Sequence, residues 1–220
     1  MRTAVLFDLD GTLVDSLGDI AAALDAVLVE LGHPTHTREA YRRFVGEGAR
    51  ELVRRALPAA LDPREASRQL DDALARYKAR YRAHLVDETR PYEGIVELIA
   101  ALRARGALLA VVTNKPHDAA LEVVERLFEP GTFEVVLGQK DGVPHKPDPS
   151  GPLSILRALA VAPAHALFVG DSETDVRTAK NAGVRAVAVT WGLRDRHDLE
   201  ASGPDHLVDH PREILALLEA

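Results

Sequence analysis

A few acidic and basic side chains placed just after short apolar runs carry most of the chemical possibility in this chain. Asp8 and Asp10 follow the run Ala4-Val5-Leu6-Phe7, and Gly11-Thr12 supplies a turn directly after them. A continuous apolar run of this length suits a strand buried on both faces, which puts both acids at its exit. Side chains alternate along a strand, so Asp8 and Asp10 project to the same side if the extended backbone persists through Leu9. Two carboxylates ~4 Å apart repel by ~4 kcal/mol at an effective dielectric of about 20, so such a pair needs a cation, a shared proton or room to splay apart. Further along, Thr113-Asn114 ends another apolar run, Lys146 lies in the loop Pro144-His145-Lys146-Pro147-Asp148-Pro149, and Asp171 and Asp175 follow a third run through Gly170. Each has a plainer reading. Thr113 and Asn114 are favoured helix caps, most lysines are solvated, and acids at helix N-termini need no function. Together, two acids, a hydroxyl with an amide, a lysine and a second acid pair meet the needs of a phosphoryl group: a nucleophile, a metal to screen it from the carboxylates, and fixed donors around its oxygens.

These residues can meet only if the elements between them bring the strand ends to one edge. After Leu13-Val14-Asp15 the apolar positions Leu17, Ile20, Leu24, Val27, Leu28 and Leu31 recur at steps of three and four, with Ser16 placed to cap and Gly32 to stop, which predicts an amphipathic helix. A second short helix is predicted from about Thr37 to Val45, broken by Gly46-Glu47-Gly48, and a third carries Leu52, Val53, Ala56 and Leu57 up to Pro58. Asp62-Pro63-Arg64-Glu65 reads as the start of a fourth, with a capping carboxylate, proline at the first helical position and Glu three residues after the cap. From Pro91 onward strands and helices alternate. Strands are predicted at 108–113, 133–137, 166–169, 186–189 and 207–208, and helices at 95–105, 116–128, 153–159, 175–182 and 212–218. Such alternation predicts an α/β fold with a parallel sheet covered on both faces, to which Ala4–Phe7 adds a strand. In these sheets ligands bind at the carboxyl ends of the strands, where the candidate residues lie.

Composition narrows the classes. Hydrophobic residues at 46% with charged residues at 28% describe an ordinary globular chain, and a formal charge of −7 lacks the basic footprint of a nucleic-acid binder. Cysteine is absent, so disulfides, thiolate metal sites and a cysteine nucleophile are excluded. Apolar runs fall far short of the ~20 residues of a membrane helix, and Met1-Arg2-Thr3 leads straight into the first strand without a signal-peptide core, so a cytoplasmic protein is expected.

Asp8-Leu9-Asp10-Gly11-Thr12, Thr113-Asn114, Lys146 and Gly170-Asp171-Ser172-Glu173-Thr174-Asp175 resemble, in order, the four motifs of the haloacid dehalogenase superfamily in its phosphatase branch. The helical insert resembles that family's small α-helical cap. The resemblance implies a Rossmann-like core at 1–15 and 88–220 with a four-helix cap at 16–87. It implies Asp8 as nucleophile, Asp10 as general acid and base, and Mg²⁺ as cofactor, held by Asp8, the Asp10 carbonyl and Asp171 with Asp175 in support. Thr113, the Asn114 amide and Lys146 would bind the phosphoryl oxygens, and the cap would close over a small phosphorylated metabolite. The segment Gly46-Glu47-Gly48-Ala49-Arg50 resembles the cap's specificity loop, with Arg50 as the cation for a substrate carboxylate. Whole-chain similarity is greatest to bacterial phosphoglycolate phosphatases, while pyrophosphate, nucleotide and sugar-phosphate hydrolysis run on the same scaffold. A β-phosphoglucomutase-like chain would carry Glu where this one has Gly170. A phospho-receiver module would be shorter and would lack the insert.

Overall fold

The computed structural model describes residues 2–58 and 63–218. The chain begins with β1 (Ala4–Phe7) and the two-residue strand β2 (Val14–Asp15). Four helices follow, α1 (Leu17–Glu30), α2 (Arg38–Phe44), α3 (Ala49–Ala56) and α4 (Pro63–Ala83), and then β3 (Arg90–Pro91). The rest alternates through α5 (Ile95–Ala104), β4 (Leu108–Pro116), α6 (His117–Leu127), β5 (Val135–Gln139), α7 (Ser150–Ala158), β6 (Ala166–Gly170), α8 (Glu173–Ala182), β7 (Arg185–Val189), α9 (Arg196–Ser202) and β8 (His206–Val208). It closes on a 3₁₀ helix, Pro211–Leu218.

The six-stranded sheet has the order β5-β4-β1-β6-β7-β8, and every pairing in it is parallel. β1 lies between β4 and β6, and its four residues are wholly inaccessible to solvent, as its unbroken apolar run requires. Alternation divides its side chains between two cores. Val5 and Phe7 join Leu109, Val111, Leu167 and Val169 on the face continuous with α1, α3 and α4, while Leu6 joins Ala110, Phe168 and Val176 on the other. From β1 the chain runs outward to β5, then re-enters on the opposite side with β6. The strand order therefore reverses beside β1, and the crevice at the carboxyl ends of β1, β4 and β6 is where such a sheet places its ligands.

The helices α1–α4 stand on this crevice. Where the chain leaves and re-enters the sheet, β2 and β3 pair antiparallel, Val14 opposite Pro91 and Asp15 opposite Arg90. Asp19, buried in the first turn of α1, braces the same junction by accepting hydrogen bonds from the Glu88 amide (2.9 Å), the Thr89 amide (2.9 Å) and the Thr89 hydroxyl (2.6 Å). Neither the paired strands nor this buried carboxylate shows in the sequence, because a two-residue strand has no period to read.

Four local expectations change. The strand of 108–113 continues to Pro116, and Pro116 rather than Thr113 or Asn114 occupies the N-cap of α6, so the helix-cap reading of those two residues fails. Ser16 stands before α1 but makes no cap hydrogen bond, because its hydroxyl is committed to Asp10. The last helix is 3₁₀, and α9 forms where no helix was predicted. The proposed cap carboxylate of the fourth helix, Asp62, lies outside the described residues.

Candidate functional site

Three acids gather where β1 and β6 end: the carboxylates of Asp8, Asp171 and Asp175 each place an oxygen within 4.8 Å of the others, and all three are buried. Three glycines make the space. A Cβ on Gly11 or Gly192 would fall 2.3 Å from Asp171 side-chain atoms, and one on Gly170 would fall 2.2 Å from Asp175 Cβ. A Glu at position 170, as a mutase-like chain would carry, would require Asp175 to shift.

Lys146 enters this cluster from the loop after β5, its Nζ 2.7 Å from Asp175 Oδ1 and 2.8 Å from Asp8 Oδ1. It donates a hydrogen bond to Asp175 and is ion-paired with Asp8 Oδ1, which has no other polar contact among the described residues. Asp175 is the most engaged of the three acids, since its Oδ2 also accepts from the Ser172 amide (3.1 Å) and hydroxyl (2.6 Å) in a capping box that starts α8. Asp171 accepts from the Thr12 hydroxyl at 3.2 Å and the Leu193 amide at 2.7 Å. Burial pushes the Asp8 carboxyl up from 3.8 to about 6, with Lys146 pulling against it and Asp175 adding to the rise. Burial, then Asp175 and Asp8, push Asp171 up to about 7. Burial works against the Lys146 charge, but Asp175 and Asp8 outweigh it and hold the ammonium above its usual range. An all-oxygen donor set of clustered buried carboxylates is what a hard divalent cation such as Mg²⁺ takes. Asp8 and Asp171 are the acids with capacity for it, and Asp175 is engaged in holding Lys146.

Asp10 lines the same cavity as Asp8 but stands outside the cluster of Asp8, Asp171 and Asp175. Its Oδ1 accepts from the Ser16 hydroxyl at 2.6 Å and from Lys115 Nζ at 2.7 Å, so the expected crowding of Asp8 and Asp10 is relieved by turning Asp10 toward the helices. β1 ends at Phe7, and the bend at Leu9 breaks the extended conformation that the same-side expectation required. Lys115, absent from the sequence-derived candidates, is buried and also reaches the Tyr81 hydroxyl of α4 at 2.5 Å. Continuing β4 two residues past Thr113 would have brought Lys115 to the same strand end as the other candidates.

Thr113 is buried beside Asp8 and Asp10, its hydroxyl accepting the Lys115 amide at 3.3 Å. Asn114 acts through its side chain as well as its position. Its Oδ1 accepts the Lys146 amide at 2.8 Å, and its Nδ2 donates to the carbonyls of Lys146 (3.3 Å) and Gly46 (3.1 Å), tying the lysine loop to the loop between α2 and α3. Gly46 and Gly48 both hold positive φ, 125° and 91°, at this close approach. Arg42 of α2 donates to the Leu193 and Gly192 carbonyls, and Arg194 returns bonds to the carbonyls of Arg42 and Val45, clasping the helices against the loop after β7. Arg50 does not join the site. It is 58% exposed and pairs with Asp71 at 2.8 Å on the outer surface of the helices, because α3 turns the neighbouring Ala49, not Arg50, inward.

Asp8, Thr113 and Lys115 line a cavity of about 40 Å³ between the strand ends and the helices, walled by Ile20, Val45, Leu52 and Tyr77. Among the described residues no helix is long and apolar enough to cross a membrane.

The chain is 38% identical over 212 residues to a phosphoglycolate phosphatase of Pseudomonas putida, covering 96% of this chain and 78% of that one. It is 35% identical over 217 residues to an N-acetylmuramic acid 6-phosphate phosphatase of Pseudomonas aeruginosa, covering 98% and 94%. Among solved structures, a candidate phosphoglycolate phosphatase from Lactobacillus delbrueckii subsp. bulgaricus superposes with a TM-score of 0.90 at 32% identity over 99% of each chain. CbbY from Rhodobacter sphaeroides, solved with phosphate, gives 0.81 at 29% identity over 100% of each chain. The model of the haloacid dehalogenase-like hydrolases matches residues 5–189. With its acids, lysine and strand ends arranged as described, the chain belongs to the haloacid dehalogenase-like hydrolase family.

Proposed function

We propose that the chain is a Mg²⁺-dependent phosphatase that hydrolyses a small phosphate monoester, 2-phosphoglycolate, through an aspartyl phosphate on Asp8. The observation that carries this reading is the buried Asp8 carboxylate, paired with Lys146 at 2.8 Å and gathered with Asp171 and Asp175. An ionised carboxylate so placed is a nucleophile with a lone pair free, and the adjacent ammonium offsets the charge of an arriving phosphoryl group. Mg²⁺, held by Asp8, Asp171 and the Asp10 carbonyl, would screen the phosphoryl charge from the carboxylates. Asp8 attacks phosphorus in line with the leaving oxygen, while Lys146, the Thr113 hydroxyl and the Asn114 amide hold the equatorial oxygens. Asp10 gives the leaving oxygen a proton and then takes one from the water that hydrolyses the acyl phosphate. The helices of residues 16–87 serve as a lid over this chemistry, hinged at the β2–β3 pair.

The choice of 2-phosphoglycolate rests on the relatives of that name, and the cavity beside Asp8, about 40 Å³ with the helices in place, favours a small leaving group. The Pseudomonas relatives are named for 2-phosphoglycolate and for N-acetylmuramic acid 6-phosphate, and these two esters make the decisive pair. The protein is stripped with chelator, reloaded with Mg²⁺ and assayed on both. Activity should vanish on stripping, return with Mg²⁺ and favour 2-phosphoglycolate, and rapid quench should trap phosphate on Asp8. Full activity in excess chelator, or appreciable activity in Asp8→Asn, would sink the mechanism. Preference for the sugar phosphate would sink the substrate.

A further inference from the structure

We propose that Lys115 recognises the non-phosphoryl end of the substrate and that this end carries a carboxylate. The proposal rests on the reading of Asp8 as the phosphoryl acceptor and adds to it the residue that selects the leaving group. The cavity beside Asp8 has apolar walls in Ile20, Val45, Leu52 and Tyr77, and Lys115 is the one cationic side chain among the described residues that line it. Its side chain is only 3% exposed. A buried ammonium costs several kcal/mol unless an anion accompanies it. Its one charged partner among the described residues is Asp10, at 2.7 Å. Its other contact, the Tyr81 hydroxyl, is held neutral by burial, which pushes that phenol well above its ordinary value.

Asp10 accepts from Ser16 and Lys115 through Oδ1 alone, which leaves Oδ2 for the leaving oxygen. Paired with Lys115, however, Asp10 is a carboxylate, and to act as an acid it must first take a proton from solvent. A carboxylate on the leaving group that takes over Lys115 frees Asp10 to collect that proton and deliver it. An uncharged leaving group leaves the lysine on Asp10. Selection should therefore act on kcat as well as on KM. Arg50, the cation first expected in this role, faces outward and pairs with Asp71.

The test compares 2-phosphoglycolate with ethyl phosphate, which replaces the carboxylate by a methyl group, using Mg²⁺-loaded enzyme. Wild type should favour 2-phosphoglycolate at least tenfold in kcat/KM, with part of the difference in kcat. Lys115→Met should lower that selectivity ratio at least tenfold, and Arg50→Ala should leave it unchanged. A wild-type ratio near one overturns the assignment even if the Met variant fails to fold. So does an unaltered ratio in a folded Lys115→Met protein, or a collapse of the ratio in Arg50→Ala. If wild type hydrolyses neither ester, the phosphatase reading itself has failed and this assignment falls with it. That outcome is distinguishable because no ester is turned over.

Discussion

Replacing Lys146 by Met keeps the length and packing of the stem and removes the ammonium paired with Asp8 and Asp175, so the stability of the metal-free protein should report the electrostatics of the site directly. At the observed 2.7 and 2.8 Å, each ion pair has a gross Coulomb energy of ~6 kcal/mol at an effective dielectric of about 20, much of which desolvation of the ammonium offsets. The net cost of removing one partner from such a buried group is ~3–5 kcal/mol. Its pH dependence is specific. Lys146 is held above its ordinary value, so its charge is present throughout the range from pH 5 to 8. Asp8 and Asp171, pushed up to about 6 and 7, bind protons at pH 5 and are largely ionised at pH 8. The Met variant should therefore lose ~3–5 kcal/mol at pH 8, distinctly less at pH 5, and regain part of the loss at pH 8 in saturating Mg²⁺. Urea unfolding can be followed through Trp191, the single tryptophan, whose Nε1 donates to the Thr12 carbonyl beside the site. An unchanged urea midpoint at pH 8 without metal, at constant m, would refute the view that Lys146 neutralises this cluster.

For the wild-type protein without metal, the raised values of Asp8 and Asp171 mean that the folded state binds more protons than the unfolded chain between pH ~4 and ~7, so stability should fall as pH rises through that window. A thermal midpoint that rises from pH 5 to pH 8 would contradict it. Gly192→Ala drives a Cβ to 2.3 Å from both Asp171 Cβ and the Gly11 carbonyl; overpacking of this kind costs ~1–3 kcal/mol, and isothermal titration should find Mg²⁺ binding weakened at least tenfold. Asp19→Ala leaves the Glu88 and Thr89 amides without their acceptor and should cost ~3 kcal/mol in urea unfolding; a loss under 0.5 kcal/mol, the scale of an ordinary surface substitution, would show that the junction is braced otherwise.

The sheet was legible because its strands are short apolar runs and its helices carry an unbroken period. Asp8, Thr113, Lys146, Asp171 and Asp175 could be assigned to one edge for the same reason, since topology alone brings strand ends together. What escaped lies where side chains choose among partners. Ser16 has the composition of a helix cap and instead serves Asp10, and Arg50 sits in the first turn of α3 next to the cavity-lining Ala49 while its side chain leaves for Asp71. Such choices depend on a turn of helix that fixes direction, which spacing along the chain does not encode. Lys115 was hidden by the proline after it, which read as a helix start and so concealed the further extent of β4.

The last residues of β4 divide the site into a part that is built in advance and a part that closure assembles. Asn114 holds the Lys146 backbone through both its Oδ1 and its Nδ2, and these bonds lie wholly within the sheet and its loops. The same Nδ2 reaches the Gly46 carbonyl, and the adjacent Lys115 reaches Tyr81, both on the helical side. If α2–α4 swing away as proposed, the second pair of contacts breaks while the first persists. The phosphoryl end of the site, with Lys146 placed against Asp8, then keeps its geometry in the open form, which spares the reaction a reorganisation at the step where charge develops. On that proposal the leaving-group end would gain Tyr81 and the apolar walls only on closing. Discrimination between substrates would then be deferred to closure, where a poorly fitting leaving group is rejected before Asp10 is released.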